Sequence, residues 1–154
     1  MSLETATNYL KKHNLESRII LFKESTATVS EAAHMLNTDE DNIAKSMSFK
    51  VDNKPLLIIL SGNSKVDNHK YKEYFKEKAH MLSHDEVELL IGHPVGGVCP
   101  FGINDDVKIY LDESLKRHDI VYPACGTPNS AVKLKLTELE SILNNPTWID
   151  VSKK

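Results

Sequence analysis

Gly96-Gly97-Val98-Cys99-Pro100-Phe101-Gly102 sets three glycines and one proline within seven residues, between a helix-like run, Asp85–Ile91, and a strand-like run, Val107–Leu111. Glycine lets the backbone take positive φ and approach a neighbour closely, and proline fixes the turn. A loop of this kind can aim several backbone N–H groups at one oxygen, which suits a bound carbonyl or a developing oxyanion. Glycine content alone describes a plain connecting turn equally well. The residues on either side decide between the two.

Working outward, Leu3, Ala6 and Leu10 recur at helical spacing and predict a first helix over Ser2–His13. Arg18–Phe22 reads as a strand, and Ser30 reads as the N-cap of a short helix, Glu31–Leu36. Ile43–Val51 and Leu56–Leu60, joined by Asp52-Asn53-Lys54-Pro55, predict a hairpin. Asp67 caps a helix to Lys78, on which Tyr71, Tyr74 and Phe75 share one face. Aromatics among lysines can stack on nucleic acid, but this spacing is the simpler signature of a core stripe. Ser83 opens a further helix, followed by the glycine loop and strands at Lys108–Leu111, Ile120–Tyr122 and Ala131–Leu136. Thr137 is expected to cap the last helix, and Thr147–Val151 to close the sheet. This irregular alternation, with hairpins early and late, predicts an α+β (mixed α/β) domain: a mixed sheet flanked by helices, not a doubly wound parallel one.

The 154 residues suit one domain, 1–154, with no repeat or linker to divide it. The longest apolar run, Pro55–Leu60, is strand-sized, so no membrane span and no secretory leader are expected. Two cysteines, Cys99 and Cys125, without metal-type spacing, point to reduced thiols and a cytoplasmic location. The net charge of −3 argues against broad nucleic-acid or DNA binding. It hides an asymmetry: Lys45–His80 holds eight lysines against four acids, so this segment carries +4 and the remainder −7. Such a patch is either a solvated helix face or a modest phosphate-facing surface. The seven histidines form no H-E-x-x-H, and neither phosphate-binding glycine motif occurs, so neither metal nor cofactor is expected.

Four segments then combine. They are Ile43-Ala44-Lys45-Ser46-Met47-Ser48-Phe49-Lys50, the Gly96–Gly102 loop, Ile109-Tyr110-Leu111-Asp112-Glu113-Ser114-Leu115, and Val121-Tyr122-Pro123-Ala124-Cys125-Gly126 with Asn129-Ser130-Ala131-Val132. In this order and spacing the chain resembles the YbaK/EbsC family, free-standing relatives of the editing domain of bacterial-type prolyl-tRNA synthetases. The resemblance spans nearly the whole chain. It implies a strongly curved, partly barrel-like sheet and hydrolysis of a wrongly attached amino acid from a tRNA, with prolyl-tRNA synthetase as a possible partner.

An aminoacyl ester is already labile, so an editing site needs positioning, an oxyanion site and a water more than a strong nucleophile. The resemblance implies that Lys45 anchors the terminal phosphate or ribose, while Gly96 and Gly97 hold the carbonyl within the family's G-x-x-x-P form. Val98, Cys99, Pro100, Phe101 and Gly102 complete the loop as candidate substrate contacts, with Asp112, Gly126, Asn129 and Ser130 as further ones. Asp112 reads equally as a strand-end cap, and Asn129 and Ser130 as turn residues. Gly126-Thr127-Pro128-Asn129 departs from the later loop of some relatives, which leaves the amino acid removed open. Two other functions fit the residues: a non-catalytic module that binds a tRNA end or a synthetase, and a cysteine hydrolase built on Cys99 or Cys125.

Overall fold

Pro55-Leu56-Leu57-Ile58-Ile59-Leu60 is buried throughout, which only a strand covered on both faces can achieve. The computed structural model describes residues 2–153. Its elements in chain order are α1 (Ser2–Lys11), β1 (Ile19–Leu21), α2 (Val29–Leu36), β2 (Ala44–Val51), β3 (Lys54–Ser61), α3 (Asn68–Phe75), α4 (His84–Ile91), β4 (Lys108–Asp112), β5 (Ile120–Val121), β6 (Ser130–Val132), β7 (Leu134–Lys135), α5 (Leu136–Ile142) and β8 (Thr147–Ile149). The main sheet has the order β2-β3-β4-β8, antiparallel between β2 and β3 and parallel from β3 onward. The predicted hairpin is therefore real. Its tip is tighter than the four-residue turn expected, because Val51 already pairs with Lys54. Asp52 and Asn53 both take positive φ, 52° and 61°, the two-residue geometry that follows the strand twist.

Alternation on β3 sends Ile58 and Leu60 to one face, where Phe49 and Tyr71 of α3 cover them. Leu57 and Ile59 go to the other face, under α4 and α1 respectively. Each such side chain contributes roughly 2 kcal/mol when buried, so the register is held by several anchors at once. Tyr71 is fully buried in the aromatic stripe while Tyr74 stays 46% exposed, so the stripe is a core feature with an open rim.

Two short ladders, β1-β6 and β5-β7, continue the wall beyond β2. The Ala44 N–H donates to the Tyr122 carbonyl at 3.1 Å, and the Tyr122 N–H to the Asn42 carbonyl at 3.0 Å. The Val132 N–H then reaches the Pro123 carbonyl at 2.8 Å. These corner bonds curl the sheet into a partly barrel-like wall.

Several local expectations are corrected. The strand expected over Ala131–Leu136 breaks at Lys133, whose N–H turns to the Arg18 carbonyl, so its two halves pair with different partners. Thr28, not Ser30, caps α2: its side chain accepts from the Glu31 N–H, and Glu31 returns a bond to the Thr28 N–H. α3 stops at Phe75 because Lys76 turns left-handed at φ 65°. α5 starts one residue before its expected cap Thr137, and the Lys135 N–H is taken by Glu138 Oε1 at 2.9 Å.

Candidate active site

A cavity of about 130 Å³ opens where the start of β2, the segment before α2, the glycine loop and the end of β5 meet. Its walls are mostly small side chains, Ala27, Ala32, Ala44, Ala124 and Ala131 among them. The segment before α2 is stitched to the later loop: the Thr26 N–H donates to the Pro128 carbonyl at 2.6 Å and the Phe22 N–H to the Asn129 carbonyl at 2.9 Å.

Of the candidates from sequence, Lys45, Gly96, Val98 and Ser130 line this cavity. Gly97 sits just behind it, buried. A Cβ there would lie 2.5 Å from the Thr127 nitrogen, so glycine is what lets the two loops touch. The Gly97 N–H is already given to the Pro94 carbonyl at 3.0 Å. Gly96 has φ 91°, open to glycine at little strain.

The remaining candidates lie elsewhere. Cys99 and Phe101 are fully buried in the main core with Ala6 and Leu10. Pro100 and Gly102 line a separate cleft beside Tyr9 of α1 and Lys12 just after it. Gly126 packs its backbone against Ser2 of α1, where a Cβ would lie 2.4 Å from the carbonyl oxygen. Asp112 is fully buried and accepts from the Ser114 N–H at 2.9 Å and the Val151 N–H at 2.8 Å, tying β4 to the segment after β8. Asn129 is exposed and donates to the Phe22 carbonyl at 3.1 Å. Ser130 lines the cavity, but its hydroxyl is engaged with Thr127.

Lys45 Nζ donates to the Gly62 carbonyl at 3.2 Å and to the Ser64 carbonyl. Half-burial draws its pKa below the ordinary lysine value, and Lys65 nearby acts in the same direction. Behind these carbonyls lies a polar network that sequence reading missed. Arg117 Nη2 donates to Ser61 Oγ at 2.6 Å and Ser64 Oγ at 2.9 Å, while pairing with both oxygens of Asp41. His118 Nε2 donates to Asp41 Oδ2 at 2.6 Å. The Arg117 guanidinium, above all, holds the Asp41 carboxyl well below its usual range. The one available signal was the polar Ser61-Gly62-Asn63-Ser64 at the end of an apolar strand; its partner Arg117 is more than 50 residues away.

Cys99 Sγ lies 3.4 Å from His93 Nε2, the geometry of a Cys–His pair. That nitrogen is 2.6 Å from the Phe101 carbonyl, an acceptor, so it carries the proton and is no base for the thiol. Burial pushes both thiols up, Cys125 to about 11. Among the described residues no group of three His, Cys, Asp or Glu side chains is placed to hold a metal, and no helix is long and apolar enough to cross a membrane.

The chain belongs to the aminoacyl-tRNA editing domain family, whose model matches residues 23–142. It is 43% identical over 154 residues to the uncharacterised protein YwhH of Bacillus subtilis (strain 168), covering 99% of this chain and 98% of that one. An 88-residue stretch is 34% identical to the proline–tRNA ligase of Bacillus cereus (strain AH820), covering 56% of this chain and 16% of the ligase. The fold matches a crystal structure described as a candidate trans-editing enzyme for prolyl tRNA synthetase, with TM-score 0.89 and 26% identity over 99% of this chain and 98% of that one.

Proposed function

We propose that this protein is a trans-editing hydrolase that removes a compact, wrongly attached amino acid from a tRNA, with tRNA-Pro or a related tRNA as carrier. The observation that carries this reading is the cavity itself. At about 130 Å³ it is close in size to the ~150 Å³ cavity that houses a benzene-sized guest, so it suits a small aminoacyl group and little more. Lys45 lines the same space, and its ammonium, held in reserve by two carbonyls, is suited to a phosphate or ribose of the tRNA end.

In the reaction a water adds to the ester carbonyl, and the oxyanion is met by the glycine loop at Gly96 and Val98, the Gly97 N–H being held by Pro94. The carbon–oxygen bond to the ribose then breaks, the ribose oxygen takes up one of the water's protons, the other passes to solvent, and the amino acid leaves as its carboxylate. A neighbouring ribose hydroxyl or the substrate's own side chain can assist the water. The buried thiols take no part, and the chemistry is assigned no metal. The net charge of −3 favours weak tRNA binding by the protein alone and help from a synthetase partner.

The test is release of labelled amino acid from a panel of mischarged tRNAs, with wild type beside Lys45→Ala. Fast release by wild type and a fall of about 100-fold in the variant is the expected result. No release from any tRNA, even with prolyl-tRNA synthetase present, would make the protein a non-catalytic module that binds the tRNA end.

A further inference from the structure

β2 is left uncovered along part of its outer edge, and the phase of its hydrogen bonds identifies the open residue. Its register with β3 is unbroken from Ala44↔Ser61 to Val51↔Lys54, so successive residues alternate between facing β3 and facing away. Three bonds set the phase. The Ala44 N–H goes to the Tyr122 carbonyl at 3.1 Å, the Leu82 N–H to the Ser48 carbonyl at 3.2 Å, and the Lys50 N–H to the His80 carbonyl at 3.0 Å. Ala44, Ser48 and Lys50 therefore face outward, and so does Ser46 between them.

Ser46 is the point where the covering elements part. The end of β5 covers the edge up to Ala44, and the segment His80–Leu82 covers it from Ser48 onward. Neither the N–H nor the C=O of Ser46 meets an acceptor or donor beyond that edge among the described residues. Its Oγ is buried and also has no hydrogen-bond partner. Ser46 lines the cavity. A buried hydroxyl is nearly always paired, so an open Oγ next to an open stretch of strand edge on the wall of a cavity marks a place for a ligand.

We propose that Ser46 docks the aminoacyl group as a one-residue strand added to the edge of β2. This rests on the deacylase reading of the cavity. The Ser46 N–H donates to the ester carbonyl, and its C=O and Oγ accept from the α-amino group. A hydrogen-bonded antiparallel pair exchanges one N–H and one C=O between two residues. An α-amino ester carries the same two partners on adjacent carbons, and so replaces the residue missing from the edge. Gly96 and Val98 line the cavity as well, so the carbonyl has donors available from two elements. No carboxylate lines the cavity, so the amino group is met by neutral acceptors. The site thus reads the substrate's N–Cα–C=O unit and limits only the size of its side chain. Compact α-amino acyl esters are substrates as a class, and acyl esters without a free α-amino group are not.

The experiment uses the intact wild-type protein and a non-hydrolysable analogue, adenosine carrying an alanyl group through a 3′-amide. Backbone NMR should show the Ser46 amide proton moving downfield and gaining protection from exchange as the analogue is titrated. A propionyl counterpart, which lacks the amino group, should bind about tenfold more weakly, the worth of a lost hydrogen bond of about 1.4 kcal/mol. Cavity residues shifting while the Ser46 amide stays unchanged, or equal binding of the two analogues, would overturn the docking mode and leave the deacylase reading intact. Binding of neither analogue, together with no release from mischarged tRNA, would overturn both. Ser46→Pro removes the outward N–H together with the Oγ, a change that an edge strand tolerates, and Ser46→Ala, which removes the Oγ alone, is its reference. Release should fall about 100-fold in the proline variant, and unchanged release in a folded Ser46→Pro protein would also overturn the proposal.

Discussion

Lys45, Cys99 and Asp112 show what a residue's type leaves undecided. Lys45 lines the cavity, but its ammonium is held by Gly62 and Ser64, whose loop is in turn fixed by Arg117. Asp112 has the chemistry of a substrate ligand, yet both its oxygens are spent on the backbone N–H groups of Ser114 and Val151. Cys99 sits inside the most suggestive loop of the sequence and is a core residue. Its burial, with that of Cys125, makes a direct prediction. Neither thiol should react with a disulfide reagent in the native protein at neutral pH, and both should react once it is unfolded, as a thiol count with and without denaturant will show. Rapid native labelling of Cys99 with loss of activity would revive the cysteine hydrolase.

At the scale of elements, caps and loop contacts decide the shape of the cavity. Thr28 closes a capping box with Glu31 and also lines the cavity, whereas Ser30, the cap expected from sequence, lies within the first turn of α2. Thr28→Ala should therefore lower stability by about 1 kcal/mol and Ser30→Ala by only a few tenths, measured by urea unfolding. Both residues belong to the set that caps helices, so composition could not choose between them; the path of the chain before α2 does. The glycine loop makes a second case. At Gly97 a Cβ would lie 2.5 Å from the Thr127 nitrogen and 2.6 Å from the Gly126 carbonyl carbon. Gly97→Ala should push the loops apart, lowering stability by about 3 kcal/mol and release of amino acid along with it, read as a drop in both the unfolding midpoint and the rate. An alanine variant of wild-type stability would mean that the two loops are not in contact.

For the whole molecule, the titrating groups set a window of stability. Glu86, whose carboxylate accepts from Ser83 and Lys50, is lowered to about 2, and Asp41, Asp67 and Glu138 are lowered as well. Folded values below unfolded ones mean that these carboxylates stabilise fully above their ordinary values near 4 and lose that contribution as pH falls through the folded values. Burial lowers His93 below 6.5, so its contribution starts to fall away just below that pH. On the alkaline side the signs reverse. Cys125 is raised from 9.0 to about 11 and Tyr71 from 10.0 to about 12, both by burial, so stability is lost as pH rises from 9 through those values. The unfolding midpoint should be highest between about pH 6.5 and 9, and Cys125→Ala should flatten the alkaline limb. A midpoint still rising beyond pH 10 would contradict the burial of these groups.

The fold class, the hairpin and the family were legible in the sequence because they rest on local signals. These are the unbroken apolar run of β3, the turn at Asp52 and Asn53, and four short motifs in fixed order. Periodicity and turn chemistry act over a few residues, and a reader of the chain sees them directly. The cavity was not legible, because its walls come from segments about 100 residues apart that meet only when the sheet curls at Tyr122 and Lys133. Nor was the open edge at Ser46, since an unpaired backbone group is defined by what fails to pack against it. Residue type settled which atoms were available for chemistry, and only the tertiary structure settled which of them were left free to do it.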